Sequence, residues 1–276
     1  MSTAAKRSWA DRSVPDWLAV VLLGVIEGVT EFLPVSSTGH LLLVENARML
    51  PRQSDLFNIT IQSGAAVAVL AVFGGRIRDL LGRITEPAAG GYLAKLLLAF
   101  VITGAGGVAI KRLGFVLPKE VAPIAWATLV GGVVILLVEW GLRGRAVQAN
   151  VTWPVAVAVG LGQLVAAGFP GTSRSAATIM FAMVLGLARP IATEFSFLVG
   201  VPTLLAAGGL ETLQALRHPA AGPPTDWGML ALGTVVSAVT AFLVVRWLLR
   251  WVQTHSFSPF GWYRIVLGLL MLARFV

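Results

Sequence analysis

Residues 24–40 read GVIEGVTEFLPVSSTGH and place two carboxylates, Glu27 and Glu31, among hydroxyls and one imidazole in otherwise apolar sequence. A charged side chain at the centre of a bilayer costs about 2.5 to 3.5 kcal/mol even on lenient insertion scales. Both carboxylates are therefore expected to face a cavity, a partner or an ion. The stretch predicts a functional site inside a membrane protein.

The same stretch predicts a broken helix. If the segment before Pro34 is helical, Glu27 and Glu31 lie one turn apart on one face, where a metal ion or an arginine must offset their repulsion. Pro34 interrupts the helix, and Ser36, Ser37 and Thr38 are residue types that cap a new one. The free N–H groups of such a helix start favour an anion. The alternative is a kinked structural helix with its glutamates in a salt bridge, but it leaves two intramembrane carboxylates without a role.

A second stretch, residues 160–178, repeats this design as GLGQLVAAGFPGTSRSAAT. A constant offset of 136 residues pairs Glu27 with Gln163 and Ser37 with Ser173, and it also pairs the two prolines of the breaks. The chain is therefore predicted to be an internal duplication with one broken helix in each copy. The copies are expected at about 17–140 and 153–276, within a single integral-membrane domain over 1–276.

Composition favours an all-α polytopic membrane protein. The 276 residues are 57% hydrophobic and 12% charged, and the mean hydropathy is +0.82. The chain has no cysteine, which excludes disulfides and thiolate sites. Its net charge of +8 is spread over short loops, so anionic lipid headgroups are expected partners and nucleic acid is not. No removable signal peptide is expected, since no small-residue cleavage site follows a short apolar core.

Two re-entrant hairpins and six full spans are expected. Each hairpin, at 17–50 and 153–187, holds its break at the tip, and non-helical backbone is tolerated there only under cover of protein or water. Arg76, Arg78 and Arg83 are placed in a loop. Because each copy crosses the membrane three times, the second copy is expected to have the opposite orientation in the membrane. The two tips then enter from opposite faces and meet near the midplane. The spans are expected at 57–73, 92–110, 121–140, 195–210, 227–245 and 262–276.

Arg174, between Ser173 and Ser175, is the most informative cation, because a guanidinium matches phosphate oxygens in a planar fork. A structural pair with Glu27 or Glu31 is the alternative, and both can hold in turn. His40, one turn into the helix after the first break, is either structural or an acid, base or nucleophile. Together the tips suit phosphoryl transfer, where positioning and charge stabilisation dominate.

The chain closely resembles the undecaprenyl-diphosphate phosphatase family of the bacitracin-resistance type. The resemblance rests on residues 27–40, 170–178 and 194–197 and extends over essentially the whole chain. It implies removal of the terminal phosphate from undecaprenyl diphosphate, which yields the lipid carrier of bacterial cell-wall synthesis. It also implies dependence on a divalent cation, magnesium or calcium, and a multi-pass protein of the plasma membrane whose site opens to the outer side.

The resemblance also implies roles for individual residues. Glu27 and Glu31 would bind metal or act in catalysis, and Ser37 and His40 would belong to the reacting centre. The nucleophile stays open between serine, histidine and a water activated by a glutamate. Arg174, with Ser173 and Thr178, would form the phosphate cradle. Apart from the resemblance, the hydroxyls of Ser36, Thr38 and Ser175 at the two tips are also expected to bind substrate.

Two other classes of membrane protein are alternatives. The type 2 phosphatidic acid phosphatase superfamily is disfavoured, because no histidine follows Arg174 in its helix. A polyprenyl-phosphate flippase or transporter would use the same paired broken helices, but it needs no proton donor or metal. The expected partners are a polyprenyl diphosphate lipid and membrane lipids, with a homodimer as an open alternative.

Overall fold

Eleven α-helices make up the regular structure of the computed structural model, which describes residues 14–114, 120–217 and 225–276. Across these ranges no strand forms beyond one isolated bridge between Gln148 and Leu187, so the all-α prediction is confirmed. The helices are α1 Asp16–Thr30, α2 Ser37–Asn46, α3 Asp55–Val72, α4 Gly74–Gly82, α5 Pro87–Arg112, α6 Val121–Gly141, α7 Trp153–Gly168, α8 Arg174–Val184, α9 Arg189–Arg217, α10 Trp227–Trp251 and α11 Ser258–Phe275.

Five of these helices, α3, α5, α6, α9 and α10, are long and apolar enough to cross a membrane. Large apolar side chains cover their outer faces, including Leu97, Leu137 and Leu243 at 61%, 58% and 63% exposure. Apolar surface of this extent suits contact with lipid. The multi-pass prediction is therefore confirmed, and five of the six expected spans coincide with these helices. The sixth coincides with α11, which does not meet the same criteria and carries the buried Arg264.

The segment around Arg76 and Arg78 was expected to be a loop, and this expectation was wrong. It forms the amphipathic helix α4 directly after α3. Asp79 lies 3.7 Å from Arg76 and 3.5 Å from Arg83, and ion pairs at this spacing favour a helix.

Both hairpins contain the predicted break. Ser36 and Ser173 cap the helices that follow, in left-handed conformations with φ of 74° and 69°, and each hydroxyl accepts a hydrogen bond from the amide three residues later. The predicted pairing of Ser37 with Ser173 is wrong. One extra residue separates Pro170 from its cap, in a turn where Gly171 has φ 97°. Ser37 therefore corresponds to Arg174, the first residue of α8.

Helices from one half of the chain pack against helices from the other half. α1 packs against α10, and α7 packs against α5, so each hairpin contacts a long helix of the other half. α6 pairs with α11 through small residues: a side chain at Gly132 would meet the carbonyl of Gly261, and one at Gly268 would meet the carbonyl of Ala125. These two contacts are related by the 136-residue offset. This packing is compatible with inverted repeats, and the inversion itself stays a prediction.

One end of the bundle is fastened by ion pairs. The buried Glu139 of α6 accepts from Arg189 Nε at 2.9 Å and from the amide of Phe257 at 2.7 Å. Glu194 of α9 accepts from Arg76 Nε at 3.0 Å. The end of α6, the start of α9, the α10–α11 connection and α4 therefore lie together at this end.

Candidate active site

The carboxylate of Glu31 joins the two hairpin tips. Ser37 Oγ donates to Glu31 Oε2 at 2.8 Å, and Arg174 Nη2 donates to Glu31 Oε1 at 3.0 Å. The Glu31 and Arg174 side chains are only 7% and 15% exposed. The predicted arginine–carboxylate pair therefore forms across the tips, and Glu31 is the carboxylate that makes it.

Arg174 lies in a space shaped to receive it. Its guanidinium carbon lies 5.3 Å from the centre of the Phe32 ring, within the range of a cation–π contact. A side chain at Gly200 would collide with Nη1. The Nε group is buried without a hydrogen-bond partner within the described protein atoms. Arg174 thus retains a free donor beside its contact with Glu31.

The hydroxyls of Ser175 and Thr178 serve the backbone of the tips. Ser175 Oγ donates to the Leu33 carbonyl at 2.9 Å, which ties the second tip to the first. Thr178 Oγ1 donates to the Arg174 carbonyl at 2.9 Å. Both side chains are buried, and neither lines the cavity between the tips. Their geometry is that of support for the tips.

A cavity of about 200 Å³ lies between the tips. Six of the predicted site residues line it: Glu31, Ser36, Ser37, Thr38, Ser173 and Arg174. The helices α2 and α8 begin at this cavity, and helix N-termini favour anions. Sequence reasoning did not assign the opposite wall to the site, although intramembrane polar residues are a signal for one. This wall consists of neutral side chains from α3, α5, α7 and α9, namely Gln62, Thr103, Gln163 and Thr203.

Glu27 lies beneath this cluster, one turn before Glu31. It is fully buried, and both of its carboxylate oxygens lack a hydrogen-bond partner in the described structure. Glu31 and Arg174 lie within electrostatic range of it. Unpartnered buried carboxylate oxygens are suitable ligands for a hard cation, and Mg²⁺ is commonly held by one or two carboxylates together with substrate phosphates. The donor chemistry of Glu27 suits the expected divalent ion, whereas both oxygens of Glu31 are bonded to Ser37 and Arg174. Among the described residues, no group of three or more His, Cys, Asp or Glu side chains could hold a metal ion.

His40 is held away from the cavity. Its Nδ1 lies 2.7 Å from the Ser36 carbonyl, and its Nε2 lies 2.6 Å from the Tyr263 hydroxyl. Because a carbonyl oxygen only accepts, Nδ1 carries the proton, and in the neutral ring Nε2 accepts from Tyr263. The two rings are nearly parallel, 5° apart. His40 thus contacts the backbone of the first tip, and Tyr263 is a partner that sequence reasoning missed.

Comparison with known proteins finds similarity over nearly the whole chain. A family model described as bacitracin resistance protein BacA matches residues 20–270, which include both tips. An undecaprenyl-diphosphatase of Rhizobium etli (strain CIAT 652) is 47% identical over 258 residues, covering 93% of this chain and 96% of that protein. Proteins of the same name from Xylella fastidiosa (strain 9a5c) and Xanthomonas oryzae pv. oryzae (strain PXO99A) are 46% and 44% identical. These alignments cover 91% and 93% of this chain and 96% of each relative.

Proposed function

Because the chain belongs to the bacitracin resistance protein BacA family, we propose that it is an integral-membrane phosphatase that hydrolyses undecaprenyl diphosphate. The products are undecaprenyl phosphate and inorganic phosphate, and the reaction recycles the lipid carrier of cell-wall synthesis. The observation that carries this proposal is the bonding of Ser37 and Arg174 to one carboxylate, Glu31, across the two tips. This arrangement brings a hydroxyl, a base and a phosphate-binding cation to one cavity.

The substrate diphosphate binds by competing with Glu31 for Arg174. A guanidinium donates two parallel hydrogen bonds to phosphate oxygens, and such charge-assisted bonds are stronger than neutral ones. The starts of α2 and α8 add backbone N–H groups and the positive ends of two helix dipoles. Release of Glu31 from Arg174 leaves its carboxylate free to act as a base.

Ser37 is the proposed nucleophile, because its hydroxyl already donates to Glu31. Its Oγ attacks the terminal phosphorus, and the proton passes to Glu31. The bond from that phosphorus to the bridging oxygen breaks, and undecaprenyl phosphate leaves with the electron pair. Water then hydrolyses the phosphoserine and releases inorganic phosphate. His40 acts on this step through the Ser36 carbonyl, as a group that positions the first tip.

Glu27, together with Glu31, is proposed to hold the divalent cation. A bound Mg²⁺ or Ca²⁺ supplies charge neutralisation for the phosphate oxygens. Glu27 suits this role because its buried oxygens have no other partner in the described structure.

The isoprenoid chain is proposed to lie in an apolar groove between α6, α7 and α8. The groove has a volume of about 730 Å³ and reaches the second tip at Phe169 and Thr172. Its walls include Trp126, Val130, Met180 and Phe181.

We place the protein in the bacterial inner membrane with the site open to the outer side.

Release of inorganic phosphate by the purified protein in detergent tests the proposal. Detergent provides no second compartment, so a flippase gives no product in this assay. We expect turnover of undecaprenyl diphosphate by the unmodified protein and a background rate for Arg174→Ala. Equal background rates for both folded proteins would contradict the phosphatase and favour the flippase.

A further inference from the structure

Arg264 of α11 is a fully buried cation that contacts both tips. Its Nη1 donates to the Pro34 carbonyl at 3.4 Å, and its Nη2 donates to the Gly171 carbonyl at 3.0 Å. Its remaining bonds run to α6, from Nε to the Thr128 carbonyl at 3.1 Å and from Nη2 to the Ala127 carbonyl at 3.2 Å. Arg264 thus links the first tip, the second tip and α6 through a single planar group.

The free-energy cost of burying the Arg264 guanidinium indicates that this residue has a functional role. The side chain is 0% exposed, and the hydrogen-bond partners that the described residues give it are all main-chain carbonyl oxygens. Burying a guanidinium without a carboxylate is unfavourable, and an apolar side chain would fill a helix interface at lower cost. The two tip carbonyls that it binds immediately precede the segments that carry Ser37 and Arg174. Arg264 is therefore placed where it can influence the separation of these two segments.

Gly131 of α6 leaves the room that the guanidinium needs. A side chain at this position would collide with Arg264 Nη2, while the neighbouring Gly132 allows the close approach of α6 and α11. A methyl group at Gly131 would displace the movable end of Arg264 and leave its charge in place. This substitution tests the geometry of Arg264 without altering any side chain proposed to touch the substrate phosphates. Because Gly131 also lines the groove proposed for the isoprenoid chain, an effect on binding of that chain would appear in KM and not in kcat.

We propose that Arg264 is a positioning residue that sets the separation between the nucleophile tip and the phosphate-binding tip. The inference rests on the proposed phosphatase reaction. A lysine retains the charge but presents one ammonium group in place of the fork, so it cannot reach the carbonyls of both tips and α6 in the same geometry. A misplacement of about 1 Å in such a site costs about 100-fold in rate.

The test measures kcat and KM for undecaprenyl diphosphate in Arg264→Lys, Gly131→Ala and the double variant. Two controls match them: Arg274→Lys is a conservative change at an exposed position of α11, and Gly104→Ala adds a methyl group where no atom lies within 4 Å. We expect kcat to fall by about 100-fold in both single variants and KM to change by less than about threefold. The double variant should be no slower than the slower single variant, since both changes disturb one contact set.

Several results would overturn the proposal. One such result is a kcat of Gly131→Ala that equals the kcat of Gly104→Ala. Another is a double variant in which the kcat losses of the two single variants multiply. A third is a rise in KM with kcat unchanged. If Arg264→Lys gives no folded protein, Gly131→Ala alone decides. Loss of folded protein in both would assign Arg264 to the stability of the fold and would also overturn the proposal. An inactive unmodified protein would instead refute the phosphatase function, so the two failures are distinguishable.

Discussion

Ser37 and Arg174 occupy the same position in their two hairpins, as the first residue of the helix after the break, and both bind the carboxylate of Glu31. Two copies of one element therefore supply different chemistry to one point. The first copy contributes a hydroxyl and its base, and the second contributes the cation. Such a division favours phosphoryl transfer, in which a nucleophile attacks phosphorus in line with the leaving oxygen while a cation stabilises the charge on the other phosphate oxygens.

Replacement of Arg174 by lysine should remove most of the activity. Lysine keeps the charge, but it lacks the fork and cannot reproduce the contacts with Glu31 and with phosphate. We expect kcat/KM to fall by about 100-fold or more, measured as phosphate release in detergent. Arg246→Lys, at an exposed position of α10, is the matched control. Near-normal turnover by the Arg174 variant would mean that a point charge is sufficient.

Glu27→Gln should abolish the response to divalent ions. An amide is a weak ligand for a hard cation, whereas the buried carboxylate has two unpartnered oxygens. A bound ion stabilises the folded state, so Mg²⁺ or Ca²⁺ should raise the melting temperature of the unmodified protein. The variant should show no such rise, and Glu120→Gln, at an exposed carboxylate, should retain it.

The melting temperature of chelated protein checks the metal assignment independently of turnover. Glu31→Gln should also weaken activity, because it removes the partner of both Ser37 and Arg174. If chelators alter neither the melting temperature nor the rate of the unmodified protein, the assignment fails. Arg174 would then be the countercharge for both carboxylates.

The sequence predicted the parts of the site that depend on polar groups in an apolar chain. Broken helices, buried carboxylates and an arginine between two serines are conspicuous there because each is costly in lipid. It did not predict contacts that arise only when distant helices meet. The pairing of His40 with Tyr263 joins residues that are 223 positions apart in the chain. The fit of Arg174 against Gly200 depends on how α8 packs against α9, the helix that follows it. The shifted cap at Ser173 followed from the turn at Gly171, which the constant offset concealed.

Ser37→Ala should cause the largest loss among the hydroxyl variants, by about 100-fold or more. Its hydroxyl is the one that donates to Glu31. Ser54→Ala is the control, since Ser54 also lies at the start of a helix but outside the cavity. Acid quenching during turnover followed by mass spectrometry should detect a phosphoserine at residue 37. A Ser37 variant with a normal rate would assign the attack to water activated by Glu31.

His40→Ala and Tyr263→Phe should lower kcat less than Ser37→Ala does, by about tenfold. Within the part of the chain that the structure describes, their contacts reach the cavity through the Ser36 carbonyl. The two effects should not multiply in a double variant, because the Tyr263 hydroxyl acts on Nε2 of His40. Complete loss of activity in His40→Ala, or a phosphohistidine trapped during turnover, would make His40 the nucleophile.

Single cysteines should reveal that the two copies are inverted. Each copy is expected to contain one hairpin that returns to its own side and three helices that cross, so the second hairpin enters from the opposite face. The ion pairs that join α4, α6 and α9 at one end agree with this order of crossings. Because the chain has no native cysteine, each introduced thiol reports one position.

The positions follow from the structure. Gln53 precedes α3, and Ala146 follows α6. A side chain at Gly90 would meet the Ile84 carbonyl at 2.6 Å, so the exposed Thr85 represents the connection between α4 and α5. Ala221 lies outside the described residues, and Thr225, just before α10, takes its place.

With a membrane-impermeant thiol reagent, Gln53→Cys and Thr225→Cys should label from one side, and Thr85→Cys and Ala146→Cys from the other. Permeabilised cells provide the control for intrinsic reactivity, since all four thiols should label there. The three crossings between Gln53 and Ala146 require opposite sides. If these two positions label from the same side, the copies are parallel, and the meeting of Ser37 with Arg174 near the midplane loses its topological basis.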